Sequence, residues 1–348
     1  EEAFFHYDHT TKTSTVFGIS TVDQTSTIVG PGFRRAAIND DGKIAGTARF
    51  LGGAAESRGF IYSGGASRTS TNLGILAGAT ATGIRPASDA VDINAAGTAT
   101  GTATSGAGTI PAEGDNIDVY IGTAAPITDI DGDITKITRG DYGRAINDAG
   151  KIAGSNEEAK ATLFSGASET LLLAATIYAT EASTAADLNE SDQVVGTTIA
   201  TNKAFLYDGS DGSVTILPQI GSGARMSALA LNESGDVVGK GDRTTGASGV
   251  ARGFVYLDAD GTSYILEDHV VDLSVPAVPG LSDWGTLSTA WGINDAGWIV
   301  GQGERRFDGA TFPTSRAYLL IPVPEPASWC LLSVGAAALV AARRRLGT

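Results

Sequence analysis

The fold is decided by Ile38-Asn39-Asp40-Asp41-Gly42-Lys43-Ile44-Ala45-Gly46, because the chain repeats this phrase six times. It returns as Ile93-Asn94-Ala95-Ala96-Gly97 ending at Gly101. Further copies begin at Ile146-Asn147, Leu188-Asn189, Leu231-Asn232 and Ile293-Asn294, and close at Gly154, Gly196, Gly239 and Gly301. The six asparagines are 55, 53, 42, 43 and 62 residues apart. Each copy reads as a β-hairpin. An apolar residue ends one strand, Asn-Asp-x-Gly turns the chain with side chains bonding their own backbone, and Gly takes positive φ. An alternating stretch such as Lys151-Ile152-Ala153-Gly154 then opens the return strand.

An aromatic strand follows, its ring 16 to 26 residues after each Asn: Phe60, Tyr120, Phe164, Phe205, Phe254 and Tyr318. Most units add another strand, such as Ser213-Val214-Thr215-Ile216-Leu217. One unit therefore holds about four short strands, the size of a propeller blade. A lone sheet of this size cannot bury its faces, so neighbouring units must stack. The expected fold is all-β, a six-bladed β-propeller over residues 1–322, with an open β-solenoid as the alternative. The stretch Ser14-Thr15-Val16-Phe17-Gly18-Ile19 is expected to complete the sheet of the last unit and hide its edge.

Composition agrees. The 46 Gly and 18% charged residues suit short strands and tight turns better than long helices, and 42% hydrophobic content supports a core. Net charge is −15, and setting aside Arg343, Arg344 and Arg345 takes the remainder to −18. So acidic a body repels nucleic acid, which needs a basic patch. The single cysteine, Cys330, lies in the apolar tail, so residues 1–322 hold no disulfide. The chain opens at Glu1 without a basic and apolar leader, which is read as a signal peptide already removed or not included.

Signals for chemistry are few. His6, His9 and His269 are the only histidines; the first two read as part of a solvated terminus, and no nucleophile motif accompanies the third. Paired carboxylates able to hydrolyse a glycosidic bond cannot be picked out among so many acidic turns. Calcium is the candidate cofactor, because Asp129, Asp131 and Asp133 place oxygen donors at alternate positions, as calcium loops do; the turns at Asp208 and Asp258 are similar but weaker. Phe60, Phe164, Phe205 and Phe254 are read as core. Trp284, Trp291 and Trp298 gather in the last unit. Trp298 stands where other copies have Lys43, Lys151, Gln193 or Asp236, so it is the candidate for stacking on a sugar ring.

The C-terminus is a separate segment, residues 323–348. Val323-Pro324-Glu325-Pro326 leads into a stretch without charge from Ala327 to Ala342, and Arg343-Arg344-Arg345 follow. Sixteen helical residues span roughly 24 Å against a hydrocarbon core of about 30 Å, short for a permanent anchor and adequate for a transient one. The arginines are expected to stay cytoplasmic, leaving the body outside. This order resembles the PEP-CTERM sorting signal of Gram-negative bacteria that make exopolysaccharide. The resemblance implies that Pro324, Glu325 and Pro326 are read by a membrane protease, exosortase, and that residues 327–342 sit in the inner membrane before processing. The repeated phrase resembles the HAF repeat of extracellular bacterial proteins, departing at the name-giving histidine, which here is Arg58, Lys203, Arg252 or Arg316. Together the resemblances imply a non-enzymatic cell-surface or matrix protein that binds exopolysaccharide or surface proteins. An extracellular carbohydrate-active enzyme and a self-assembling matrix component are the alternatives.

Overall fold

The computed structural model describes residues 4–8, 13–17, 36–52, 54–63, 69–74, 88–104, 117–123, 128–129, 142–222, 225–243, 251–269, 284–305 and 314–322. Among these the chain is all-β, and its one helical turn is a 3-10 turn at Leu266–Asp268. Each copy of the phrase builds one small antiparallel sheet. Sheet 3 shows the pattern: Tyr142–Ile146, Ile152–Ser155, Ala161–Ser165 and Ser168–Leu171 pair in simple chain order. Sheets 1, 2, 4 and 5 also have four strands and occupy residues 36–72, 92–129, 183–216 and 226–265; sheet 6, residues 284–320, has three.

The phrase turns between the first and second strands, as its residues require. Each Asn accepts the N–H of the residue four further on with its own Oδ1, at 2.9 to 3.0 Å for Lys43, Thr98, Lys151, Gln193, Asp236 and Trp298. The turn residue three after Asn takes positive φ. It is Gly in five copies and Asp192 in the fourth, at φ 60. The closing Gly has a different cause. In sheets 3 to 6 the first strand carries a β-bulge, and the close approach of the paired strands leaves no room for a Cβ. A Cβ on Gly154, Gly196, Gly239 or Gly301 would strike the carbonyl of Tyr142, Thr184, Ser227 or Thr289.

The sheets stack in chain order, and the alternation of each strand explains how. In sheet 5, Val237, Phe254 and Tyr256 pack back onto Val195, Leu206 and Leu217 of sheet 4. Val238, one residue on, packs forward with Leu266 onto Leu287, Ala290 and Tyr318 of sheet 6. The same division joins sheet 1 to sheet 2, sheet 2 to sheet 3 and sheet 3 to sheet 4. All six aromatic-strand rings are buried, as expected of core residues.

Two expectations change or fall elsewhere. Thr13–Phe17 does not complete the last sheet; it pairs with Phe4–Asp8 as a separate two-stranded hairpin. The physical reason is proximity, since two strands that follow one another in the chain pair without long-range loop closure. Its register, Phe5 opposite Val16 and Tyr7 opposite Ser14, matches the third and fourth strands of a unit, such as Phe205 opposite Ile216 and Tyr207 opposite Val214. The apolar helix expected over residues 327–342 lies outside the described residues, and no described helix is long and apolar enough to cross a membrane.

Candidate contact surface

The joints between sheets carry two rows of hydrogen bonds, both made by the phrase. In the first, each Asn amide crosses to the carbonyl of the next Asn. Asn39 donates to Asn94 at 2.9 Å, Asn94 to Asn147 at 3.1 Å, Asn147 to Asn189 at 3.4 Å, Asn189 to Asn232 at 3.1 Å and Asn232 to Asn294 at 3.4 Å. Only an amide does this, because its oxygen fixes its own turn while its NH2 reaches the neighbour. In the second row, which begins at sheet 2, the backbone N–H after the Asn donates to the carboxylate of the equivalent residue one sheet on. Ala95 donates to Asp148 at 2.8 Å, Asp148 to Glu190 at 2.9 Å, Glu190 to Glu233 at 2.8 Å and Glu233 to Asp295 at 2.9 Å. Burial and then neighbouring negative charge push the Glu190 carboxyl up, while the Asp148 N–H pulls it down.

Further bonds lock individual joints. Asp192 accepts the Lys151 ammonium at 2.5 Å and the Asn147 amide at 3.1 Å, tying sheet 4 to sheet 3. Asp92, in sheet 2, accepts the Ile146 N–H of sheet 3 at 2.8 Å, and Asp187 accepts the Leu231 N–H at 3.0 Å. Burial pushes the Asp92 carboxyl up to about 6, against the pull of the Ile146 and Ile93 N–H groups, with Glu190 adding to the rise. Between sheets 5 and 6, the nearly buried Glu267 accepts Arg252 and Arg243 and lies 3.3 Å from the Leu287 N–H. These carboxylates hold the stack together.

Both rows run out at sheet 6, and its outer face differs from every other. At the Val300 position the earlier sheets have Ala45, Thr100, Ala153, Val195 and Val238, all fully buried beneath the next sheet. Val300 is 48% exposed, and its cross-strand partner Leu319 is 52% exposed. Trp298, two residues before Val300 and so on the same side, is 44% exposed. Ile321 continues the patch from the third strand. At the other end, Ile38 of sheet 1 is 56% exposed, although its equivalents Ile93, Ile146, Leu188 and Leu231 are buried.

The three tryptophans divide. Trp284 packs into the joint with sheet 5, edge-on to Tyr318 and beneath the Arg305 guanidinium at 5.8 Å. Trp291 and Trp298 are exposed. Val300, Leu319 and Ile321 were not singled out in the sequence; the signal that finds the patch is Val300, the last copy of a position buried in every earlier sheet. Of the calcium candidates, Asp129 ends the short strand Thr128–Asp129, while Asp131 and Asp133 lie outside the described residues. In the two similar turns the carboxylates serve the backbone: Asp208 accepts Ser210 N–H, Asp211 accepts Ser213 N–H and Asp260 accepts Thr262 N–H. Among the described residues no three metal-ligating side chains converge. His269 is exposed, edge-on to Tyr264; His6 lies in the N-terminal hairpin and His9 outside the described residues. Pro324, Glu325, Pro326 and Arg343 to Arg345 also lie outside them.

These features define, among the described residues, an all-β repeat protein of six small stacked antiparallel sheets. Residues 322–345 match the model described as the PEP-CTERM protein-sorting motif, which implies processing by exosortase and export toward the cell surface. Residues 178–315, from just before sheet 4 into sheet 6, match the family described as Protein of unknown function (DUF3466). Comparison with curated proteins yields no match. Among solved structures, the chain is similar to U3-55K at a TM-score of 0.44 and 8% identity, over 87% of this chain and 86% of that one. It is similar to an acylaminoacyl peptidase of Pyrococcus horikoshii at 0.43 and 12%, over 90% of this chain and 45% of that one. A puromycin-hydrolyzing peptidase of Mycobacterium tuberculosis gives 0.38 and 12%, over 85% and 55%.

Proposed function

We propose that this is a non-enzymatic surface protein that works by contact: the tail delivers it to the cell surface, and the uncovered face of sheet 6 engages a component of the extracellular matrix, exopolysaccharide or a surface protein. One observation carries the reading. Trp298, Val300, Leu319 and Ile321 form an exposed apolar patch around the Val300 position, which is fully buried in each preceding sheet, and such patches mark contact sites. Trp298 suits a sugar ring because an indole stacks on an apolar ring face. The repeat fold contributes rigidity, since every turn is pinned to its neighbour.

The test mixes the processed protein with exopolysaccharide of the producing organism, with and without calcium, and follows co-sedimentation together with polymer size. Binding to an unchanged polymer, weakened by Trp298→Ala, is the expected result. Dependence on calcium would assign Asp129, Asp131 and Asp133 a bridging role between two acidic partners. Shortening of the polymer would make the protein a carbohydrate-active enzyme and overturn the reading.

A further inference from the structure

We infer that the partner of the sheet 6 face is sheet 1 of a second copy, so that the protein assembles head to tail. The inference rests on the reading of that face as a contact surface and names its occupant. The joints within the chain share one pattern, from which the joint of sheets 1 and 2 departs at Ala95 and that of sheets 2 and 3 at Thr100: the outgoing face of a sheet offers an Asn amide, the following N–H and an aliphatic pair. The incoming face offers an Asn carbonyl, a carboxylate at the next residue and an apolar residue before the Asn. Sheet 6 presents the outgoing set with no described sheet of its own chain to receive it: the Asn294 amide, the Asp295 N–H, and Val300 with Leu319. Sheet 1 presents the incoming set: the Asn39 carbonyl, the Asp40 carboxylate and the exposed Ile38.

Asp40 is the informative residue. A carboxylate after Asn serves only the preceding sheet, as Asp148, Glu190, Glu233 and Asp295 each do. Sheet 2, whose predecessor is sheet 1, has Ala95 there, so the acid is not obligatory in the phrase. In the first sheet it has no predecessor to serve within the stack. Phe60 and Tyr62 of sheet 1 are already buried, so the contact runs along the turn row and the inner strands around Ile38. A terminal repeat that is to remain alone needs a polar outer face, and sheet 6 has the opposite. Two different faces meeting in this way form a heterologous contact, which propagates as a series.

The experiment follows the mature protein, recovered from the producing cells, by sedimentation velocity from low to high concentration. Growth of the series with concentration is expected. Val300→Asp removes the outgoing face and Ile38→Asp the incoming face, so each alone should sediment as a monomer, with its thermal unfolding retained as the check on folding. Mixed in equal amounts, the two variants possess one intact face each and should form a dimer that grows no further. Monomers at all concentrations overturn the inference, as does a mixture of the variants that stays monomeric. If the monomer still co-sediments with polysaccharide and Val300→Asp abolishes this, the face is a contact surface and only its occupant is wrong. If Val300→Asp changes neither assembly nor polysaccharide binding, both readings fall.

Discussion

Asn147 makes one amide serve two sheets, and its loss should be felt in both. Truncation to Ala leaves the Lys151 N–H, the Asn189 carbonyl and Asp192 each short of a partner in a buried joint. Asn147→Ala should therefore cost roughly 2 kcal/mol, read from denaturant unfolding. Gly196→Ala should cost about 3 kcal/mol by overpacking, because its Cβ would collide with the Thr184 carbonyl and the Phe205 ring. Asp92 adds a pH dependence whose sign is fixed. Its folded value, about 6, is raised from 3.8, so its contribution is fully present at low pH and is lost as pH rises through about 6. The whole effect is about 3 kcal/mol. Asp92→Asn keeps an acceptor for the Ile146 N–H, so stability of the variant should lose this slope between about pH 4 and about pH 6. Thermal melts of both proteins across that range check it, and parallel curves would refute it. At this scale the sequence was half legible. Asn and the turn Gly announce their roles because turn chemistry is local. The crossing amide and the crowded closing Gly depend on a neighbouring sheet and a bulge, which no local pattern encodes.

At the scale of the element, the four-strand unit was readable because alternation, turn and aromatic strand recur in one order. Register was not. In sheet 3 the closing Gly154 faces Thr162, and Phe164 faces Ile152, whereas Gly196 and Gly239 face Phe205 and Phe254. The connection between the second and third strands has five residues in sheet 3 as in sheet 4, yet the aromatic is displaced by two positions along the pairing, which preserves the face it points to. The N-terminal hairpin was misplaced for a related reason: its sequence fits a unit's outer strands, yet nothing local says which sheet, if any, it joins. The carboxylate row gives the element its own prediction. It is interrupted only between sheets 1 and 2, where Ala95 supplies no acceptor for the Asp40 N–H. Ala95→Asp should fill that vacancy and stabilise the protein by about 1 kcal/mol, while its own N–H continues to serve Asp148. A melting temperature that falls instead would mean that repulsion along the acidic row outweighs the bond gained.

For the whole molecule, two messages in one chain operate independently. Among the described residues, the joints between sheets are made by residues 36–320, whereas the tail carries the motif that exosortase processes. This separation is why the tail was the most legible segment of all: a processing enzyme reads linear order, and linear order is what a sequence displays. The uncovered face of sheet 6 was illegible, because Val300 differs from Val238 in nothing but what lies beyond it. The separation also makes a prediction. In the full chain, replacing Pro324, Glu325 and Pro326 together with Ala should block processing, leaving a product heavier by the tail and held in the membrane fraction through residues 327–342. Its body should unfold at the same denaturant concentration as the mature wild-type protein, because no joint between sheets is touched. Mass spectrometry of fractionated cells reads the first outcome and a denaturant titration the second. Normal cleavage in the variant would remove the Pro-Glu-Pro segment from the sorting signal, and a shifted unfolding midpoint would show that the tail packs on the body. The acidity of the body bears on the same event, since a net −18 without the three arginines opposes contact of the body with an anionic membrane surface.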